Sequence, residues 1–228
     1  SPNAGKTTLF NALTGLRAKV GNYPGVTVER REGPASLDGR LAALIDLPGT
    51  YSLNPLSPDE AVVGDVLGGQ IEGLAPPHAL LVVADACSLE RSLLLIGQVL
   101  RLRRPTCLAL TMMDELQARG GKLDLERLEA ALGIPVVPVV GHRGKGIEAL
   151  RRQLAHPEDW SAPPVDPPES TVERAQWADS ILSACLHERP GHHTITEAVD
   201  RVVLHPLWGS LLFLVVMLTF FQLIFAWA

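Results

Sequence analysis

The first ten residues, SPNAGKTTLF (Ser1–Phe10), contain the second half of a phosphate-binding loop. The full pattern is G-x-x-x-x-G-K-[ST]; Gly5, Lys6 and Thr7 match its end, and its first glycine would fall one place before Ser1. Alone, such a tripeptide occurs by chance in roughly one chain in ten of this length. Its setting gives it meaning. A helix beginning at Gly5 directs free N–H groups and a positive dipole end at an anion, Lys6 can reach β- and γ-phosphate oxygens, and Thr7 offers a hydroxyl to Mg²⁺. Pro2, Asn3, Ala4 and Thr8 complete the expected cradle. The ligand expected is a nucleoside triphosphate with magnesium.

Working outward, residues 5–16 predict a helix, 20–27 (VGNYPGVT) a glycine-rich loop, and 28–37 with 41–49 a strand pair about the Asp38-Gly39 turn. SPDE at 57–60 is a capping box with Ser57 as N-cap, opening a helix to about Gly68. Strands at 79–85, 105–114 and 134–140 then alternate with helices at 88–103, 124–132 and 146–154. Such alternation predicts an α/β fold with a parallel, doubly wound sheet. Five prolines in 156–170 predict a linker, after which the pattern is helical only: 171–188, then a second capping box at Thr194 and Glu197 opening a helix to about His205.

DLPG (Asp46–Gly49) ends an apolar strand, where a carboxylate can hold magnesium through water and a glycine N–H can meet the γ-phosphate. Between the two motifs, Gly25, Val26 and Thr27 lie in a loop suited to closing over the metal. This order is that of a switch GTPase. The N-K-x-D signature that reads guanine becomes TMMD: Asp114 is present, Thr111 stands in place of Asn, and Met112 and Met113 read as filler and ring cover. The later Ser-Ala pair becomes Gly141-His142, so a modest guanine preference is expected. After Gly49 stands Thr50, not a glutamine able to orient water.

The chain has 228 residues, 20 basic and 25 acidic, for a net charge of -5, and no dense basic run, so nucleic acid is not an expected partner. Cys87, Cys107 and Cys185 make no metal or redox motif and read as small buried hydrophobes. His192 and His193 lack a third ligand and read as solvated. Residues 206–228 carry no charge and have Trp208 and Trp227 near the two ends, a transmembrane helix pattern.

Taken together, PNAGKTTLFNALTG, VGNYPGVTVER, DLPGTYSL and DRVVLHPLWG resemble the N-terminal region of the ferrous iron transporter B family over essentially the whole chain. The resemblance implies a P-loop GTPase domain at 1–155, whose mostly parallel sheet lacks its first strand because the chain looks truncated at both ends. It further implies a linker at 156–170, a small all-α, GDP-dissociation-inhibitor-like domain at 171–205 and a first transmembrane helix at 206–228. By resemblance Asn3, Lys6, Thr27 and Gly49 act in hydrolysis. Thr7, Thr27 and Asp46 hold Mg²⁺, Asn3 binds K⁺, and Thr111, Met112, Asp114, Gly141 and His142 surround the base. The cofactors implied are GTP or GDP, Mg²⁺ and K⁺, with Fe²⁺ as transported ion.

The implied partners are the lipid bilayer, the remainder of the transporter, small accessory iron-transport proteins and a second copy. The implied place is the bacterial inner membrane with residues 1–205 in the cytoplasm. Two other readings stay open: a membrane-tethered switch without transport, and a degenerate nucleotide-binding module, favoured by Thr111, Gly141 and the absent glutamine. Lacking a central strand, the chain is expected to fold poorly and bind nucleotide weakly.

Overall fold

Among the described residues, two three-stranded sheets carry the α/β fold, one of them parallel as expected. The structure is a computed structural model that describes residues 2–24, 26, 28–54, 57–160, 163, 165–188, 203–205 and 207–227. The first sheet is antiparallel, β1 (Lys19–Asn22), β2 (Glu29–Leu37) and β3 (Arg40–Asp46), with Leu37 opposite Arg40 across a two-residue turn. Asp38 and Gly39 both have positive φ, 47° and 85°, the turn geometry whose twist matches the flanking strands. β1 replaces part of the expected loop 20–27: all four of its residues are exposed, so it has no apolar alternation to betray it, and its backbone pairing with β2 holds it.

The second sheet is parallel, in the order β4 (Leu80–Asp85), β5 (Thr106–Thr111), β7 (Val136–Pro138). Every residue of β5 is buried, as expected of a strand covered on both faces. Cys107 and Ala109 face one core with Leu9 and Leu13 of α1 (Lys6–Thr14) and Leu150 of α6 (Ile147–Ala155). Leu108 and Leu110 face the other, with Leu93, Ile96 and Leu100 of α3 (Leu89–Leu100) and Leu128 and Leu132 of α5 (Leu125–Leu132). The strand expected at 105–114 stops at Thr111, because Met112 turns into the left-handed region (φ 57°) and α4 (Met113–Ala118) begins.

The capping box is realised: Ser57 accepts from the Glu60 N–H at 3.3 Å and starts α2 (Pro58–Gly68). Arg151 ties α6 to its neighbours, donating to the carbonyls of Ala12 and Ser36, both at 2.7 Å.

The chain packs as Ser1–Arg189 and Pro190–Ala228, and α7 (Thr171–Cys185) belongs to the first unit, with Ala178, Ile181 and Leu182 in the same core as α3. The segment that was expected to be a linker is pinned: Arg101 donates to Pro167 O at 3.0 Å, and Trp160 Nε1 to Gln153 O at 3.1 Å. The helix expected to run to 188 ends at Cys185, and Leu186–Glu188 (β8) pairs antiparallel with β6 (Lys122–Leu123). The stretch from 171 is therefore not helical throughout. The second capping box, with Thr194 and Glu197, and His192 and His193 lie outside the described residues.

In the second unit the expected span over 206–228 is a helix over Trp208–Trp227 (α8), 20 residues long. Its side chains are described only over 209–224, and among the described residues no helix is long and apolar enough to cross a membrane.

Gly97 on α3 is where α7 docks most closely. A Cβ there would lie 2.9 Å from Arg174 Cδ and 3.0 Å from Trp177 Cζ3, and Arg174 is itself 5% exposed, donating to Pro168 O and Glu169 O. Gly97→Val should cost about 1–3 kcal/mol by overpacking. Urea unfolding should show the lower midpoint, with Trp177 emission shifted to the red.

Candidate functional site

The phosphate loop turns twice through the left-handed region, at Asn3 (φ 57°) and at Gly5 (φ 74°). Such turns aim successive N–H groups to one side, an anion nest, and α1 follows immediately. Glycine suits the second position because a side chain there is strained; asparagine is among the residues that tolerate the first. Ala4 is fully buried, while Asn3, Thr7 and Thr8 are exposed and Pro2, Gly5 and Lys6 half-buried. Pro2 lies against Gly49, where a Cβ would come within 3.1 Å of Pro2 Cα.

Lys6 Nζ donates to Asp46 Oδ1. This ion pair joins the start of α1 to the end of β3, 40 residues away, and the carboxylate side chain is 10% exposed. Behind it Tyr23, 1% exposed, donates its hydroxyl to Asp46 O at 3.4 Å. Burial pushes the Tyr23 phenol up to about 12, so it stays a donor at any working pH. Sequence reasoning missed this anchor; an aromatic inside a glycine- and proline-rich loop was the available signal.

The segment after Gly49 is knitted to helices. Thr50, 5% exposed, bonds through its hydroxyl to Glu60 Oε1 at 2.9 Å and receives Ser52 N–H at 3.0 Å. Gln98 Oε1 on α3 accepts from Leu53 N–H at 2.6 Å, and its Nε2 donates to Ser52 Oγ at 3.2 Å. Thr50 thus serves the loop's own structure, and Gln98 is a second contact that sequence spacing did not reveal.

At the base end, the Thr111 hydroxyl has Ala4 O at 2.8 Å and Ala84 O at 3.0 Å within reach of its one hydrogen. The residue standing where Asn was expected therefore places its hydroxyl between the end of β4 and the phosphate loop, able to donate to either. Met112 is 37% exposed at the loop's turn, Asp114 lies half-buried in the first turn of α4, and Gly141 rests against Thr8, whose Cγ2 lies 3.2 Å from where a Cβ would be. Cys87 Sγ lies 4.0 Å from Met112 O, and Cys87 N–H donates to Asp85 Oδ1 at 2.8 Å. Val26 is exposed beside Tyr23, whose carbonyl its N–H reaches at 3.2 Å. Gly25, Thr27 and the side chain of His142 lie outside the described residues.

So Pro2–Thr8, Asp46–Gly49, Thr111–Asp114 and Gly141 meet at or just beyond the carboxyl ends of β3, β5 and β7, where open α/β sheets bind ligands. Among the described residues no group of three or more His, Cys, Asp or Glu side chains could hold a metal ion. Oxygen groups suited to a hard cation are nevertheless present: the Asp46 carboxylate at the root of the loop and the exposed Thr7 hydroxyl.

The family model for ferrous iron transport protein B matches residues 1–154. The chain is 46% identical over 152 residues to the Fe(2+) transporter FeoB of Escherichia coli K12, which is 66% of this chain and 19% of that protein. It therefore spans about a fifth of the length of the curated relatives it matches. Among solved structures, the cytosolic domain of L. pneumophila FeoB is similar at a TM-score of 0.74 and 32% identity, covering 82% of this chain and 97% of that one. The T. maritima FeoB cytosolic domain in its GMPPNP form gives 0.70 and 28% over 82% and 96%. A GDP-bound S. thermophilus NFeoB mutant gives 0.63 and 39% over 68% and 58%.

Thr111→Val should destabilise the fold by about 1–3 kcal/mol by leaving buried carbonyls without their donor, while Thr111→Ser, which keeps the hydroxyl, should recover most of it; urea midpoints measure both. Burial, with Asp85 beside it, pushes the Cys87 thiol up to about 11. The thiolate is the reactive form, so at pH 8 Cys87 should alkylate roughly a hundredfold more slowly than an unperturbed cysteine, and faster as pH rises toward 11. Timed iodoacetamide labelling with peptide mapping checks this.

Proposed function

The chain belongs to the ferrous iron transport protein B family, and from that premise we propose that it is the GTP-binding and GTP-hydrolysing regulatory portion of a bacterial Fe²⁺ uptake transporter. The observation that carries the nucleotide part is the Lys6–Asp46 pair, which sets the lysine of one phosphate motif on the carboxylate of the other. Family membership and the GDP and GMPPNP named for its solved relatives support it.

In this reading Lys6, the N–H groups of Asn3–Thr8 and the positive end of α1 hold the phosphates, and Asp114 reads guanine. Bound Mg²⁺ neutralises charge on the β- and γ-phosphates, and Thr7, Thr27 and Asp46 would hold it. Lys6 would leave Asp46 for the phosphates, which would free the Asp46 carboxylate to help hold the metal. Water then attacks the γ-phosphorus, the bond to the bridging oxygen breaks, and GDP and phosphate leave. Thr50 is occupied structurally, so charge building up on the phosphates must be met elsewhere. Exposed Asn3, at the turn of the phosphate loop, is the residue we assign to a K⁺ ion for that role.

The segment from Thr171 onward is the part we assign to the family's helical, GDP-stabilising domain. The support for a membrane span over 206–228 is in the sequence, which carries no charge there and has Trp208 and Trp227 near the two ends. The inner membrane, a cytoplasmic site for 1–205, the rest of a transporter, accessory proteins and self-association complete the proposal.

Phosphate release with GTP and with ATP, in K⁺ and in Na⁺, tests it. GTP turnover stimulated by K⁺ is expected, with only a modest preference over ATP; no turnover in any condition would leave a binding module. Lys6→Ala should lower nucleotide affinity by about a hundredfold or more, the loss of a charge-assisted phosphate contact. Asp46→Asn should raise GDP affinity in the absence of Mg²⁺, because Lys6 is released, and should abolish the gain that Mg²⁺ brings. Calorimetric titration in EDTA and in Mg²⁺ separates the two.

A further inference from the structure

A small apolar core stands apart from the two that cover the parallel sheet. It contains Tyr23 and Val28, from the stretch between β1 and β2, and Val62 and Val66, one turn apart on α2. Leu47, the residue after Asp46, packs against it, as do Ile71 and Leu74. Two backbone bonds tighten the loop beside it: the Tyr23 N–H donates to Val28 O at 3.0 Å, and the Val26 N–H to Tyr23 O at 3.2 Å. Thr27, which would hold Mg²⁺, directly precedes Val28 in the chain.

Packing alone would be served by phenylalanine, because a buried hydroxyl destabilises unless it is bonded. Tyr23 is 1% exposed, and its hydroxyl reaches Asp46 O at 3.4 Å. Among the other charged groups that bear on the phenol, Arg30 offers no acceptor and Glu32 is already held by Arg30. The hydroxyl hydrogen therefore goes to the Asp46 carbonyl, on the residue whose carboxylate would hold the metal.

One side chain is thereby connected to both metal-holding residues, to Asp46 through its carbonyl and to Thr27 through its neighbour Val28. Mg²⁺ demands near-ideal octahedral geometry, so an oxygen out of place is a ligand lost. Building on the nucleotide reading above, we propose that Tyr23 is a positioning residue for Mg²⁺: its hydroxyl fixes the end of β3 against the loop, at the spacing that lets Asp46 and Thr27 serve one ion. Ligands already in place lose less freedom when the metal arrives. The bond acts on the metal step, because the phosphates meet Lys6 and the Asn3–Thr8 N–H groups instead.

The test is calorimetric titration of the full chain in detergent micelles with GMPPNP, in EDTA and in Mg²⁺. The ratio of the two affinities is the gain that Mg²⁺ brings. Tyr23→Phe keeps the ring and removes the hydroxyl; it should cut that gain about fivefold, the effect of one ordinary hydrogen bond, and leave the affinity in EDTA within about twofold. Val66→Ala loosens the same core with the hydroxyl in place, and should lower Tm at least as far as Tyr23→Phe while keeping the gain. A full gain in Tyr23→Phe overturns the proposal. So does an equal fall of the gain in Val66→Ala, which would mark the effect as lost packing, or a Tyr23→Phe affinity that falls as far in EDTA as in Mg²⁺. An unaltered chain that binds no GMPPNP, or gains nothing from Mg²⁺, fails the nucleotide reading and takes this proposal with it. The other overturning results leave that reading intact.

Discussion

The bond from the Thr111 hydroxyl to the Ala4 carbonyl holds the site together, because it is the contact that fixes the phosphate loop to the parallel sheet. Ala4 has no exposure and Thr111 has 4%, so the bond lies where water cannot replace it. The same hydroxyl reaches Ala84 at the end of β4. One side chain thereby registers two strands and the loop between α1 and the base-binding end. Remove that hydroxyl and the nest at Asn3–Gly5 loses its footing on the sheet that carries Asp114.

The other attachment is electrostatic and of a different character. Lys6 and Asp46 connect the loop to the antiparallel sheet, and each is a group that phosphate chemistry would claim. In the proposed mechanism the Thr111 contact persists, whereas the Lys6 contact is exchanged. Nucleotide and metal would compete for a pair that already satisfies both charges, so part of their binding energy goes into separating it. Tyr23 stays on the Asp46 carbonyl rather than its carboxylate, so the backbone at the root of the loop is held by a group that this exchange does not touch.

The parts legible in the sequence were those with a strong local signature. Ser57 and Glu60 announced α2, Asp38-Gly39 announced the hairpin, and the apolar runs at 79–85 and 105–114 announced buried parallel strands, the second three residues too long. What was hidden depended on contacts between distant residues. β1 has four exposed residues and exists through its pairing with β2. The proline-rich stretch before α7 reads as a linker until Arg101 and Arg174 are seen donating to its carbonyls, which proline leaves fully available as acceptors. At the site, GKT, DLPG and the aspartate of TMMD were visible as motifs. Thr111 was visible only as a departure from Asn, and the tether its hydroxyl makes was not; Tyr23 and Gln98 act through backbone partners 23 and 45 residues away that no motif spacing encodes.

α3 connects the exchangeable end of the site to the rest of the first unit. Gln98 grips Ser52 and Leu53, in the segment that follows Gly49, and the adjacent Gly97 receives Arg174 and Trp177 of α7. Neighbouring helix positions point about 100° apart, so one helix faces both partners at the same level. The bonds of Gln98 are to a backbone N–H and a hydroxyl, specific in direction and easily broken by displacement of the loop. The contact at Gly97 is close packing, which resists displacement. A movement of residues 52–53 has two outcomes in this geometry. Either the Gln98 bonds break and α3 stays with α7, or they hold and α3 must carry α7 with it. The close packing at Gly97 favours α3 staying with α7, so the weaker Gln98 bonds are the point at which the loop would be coupled to the helices or released from them.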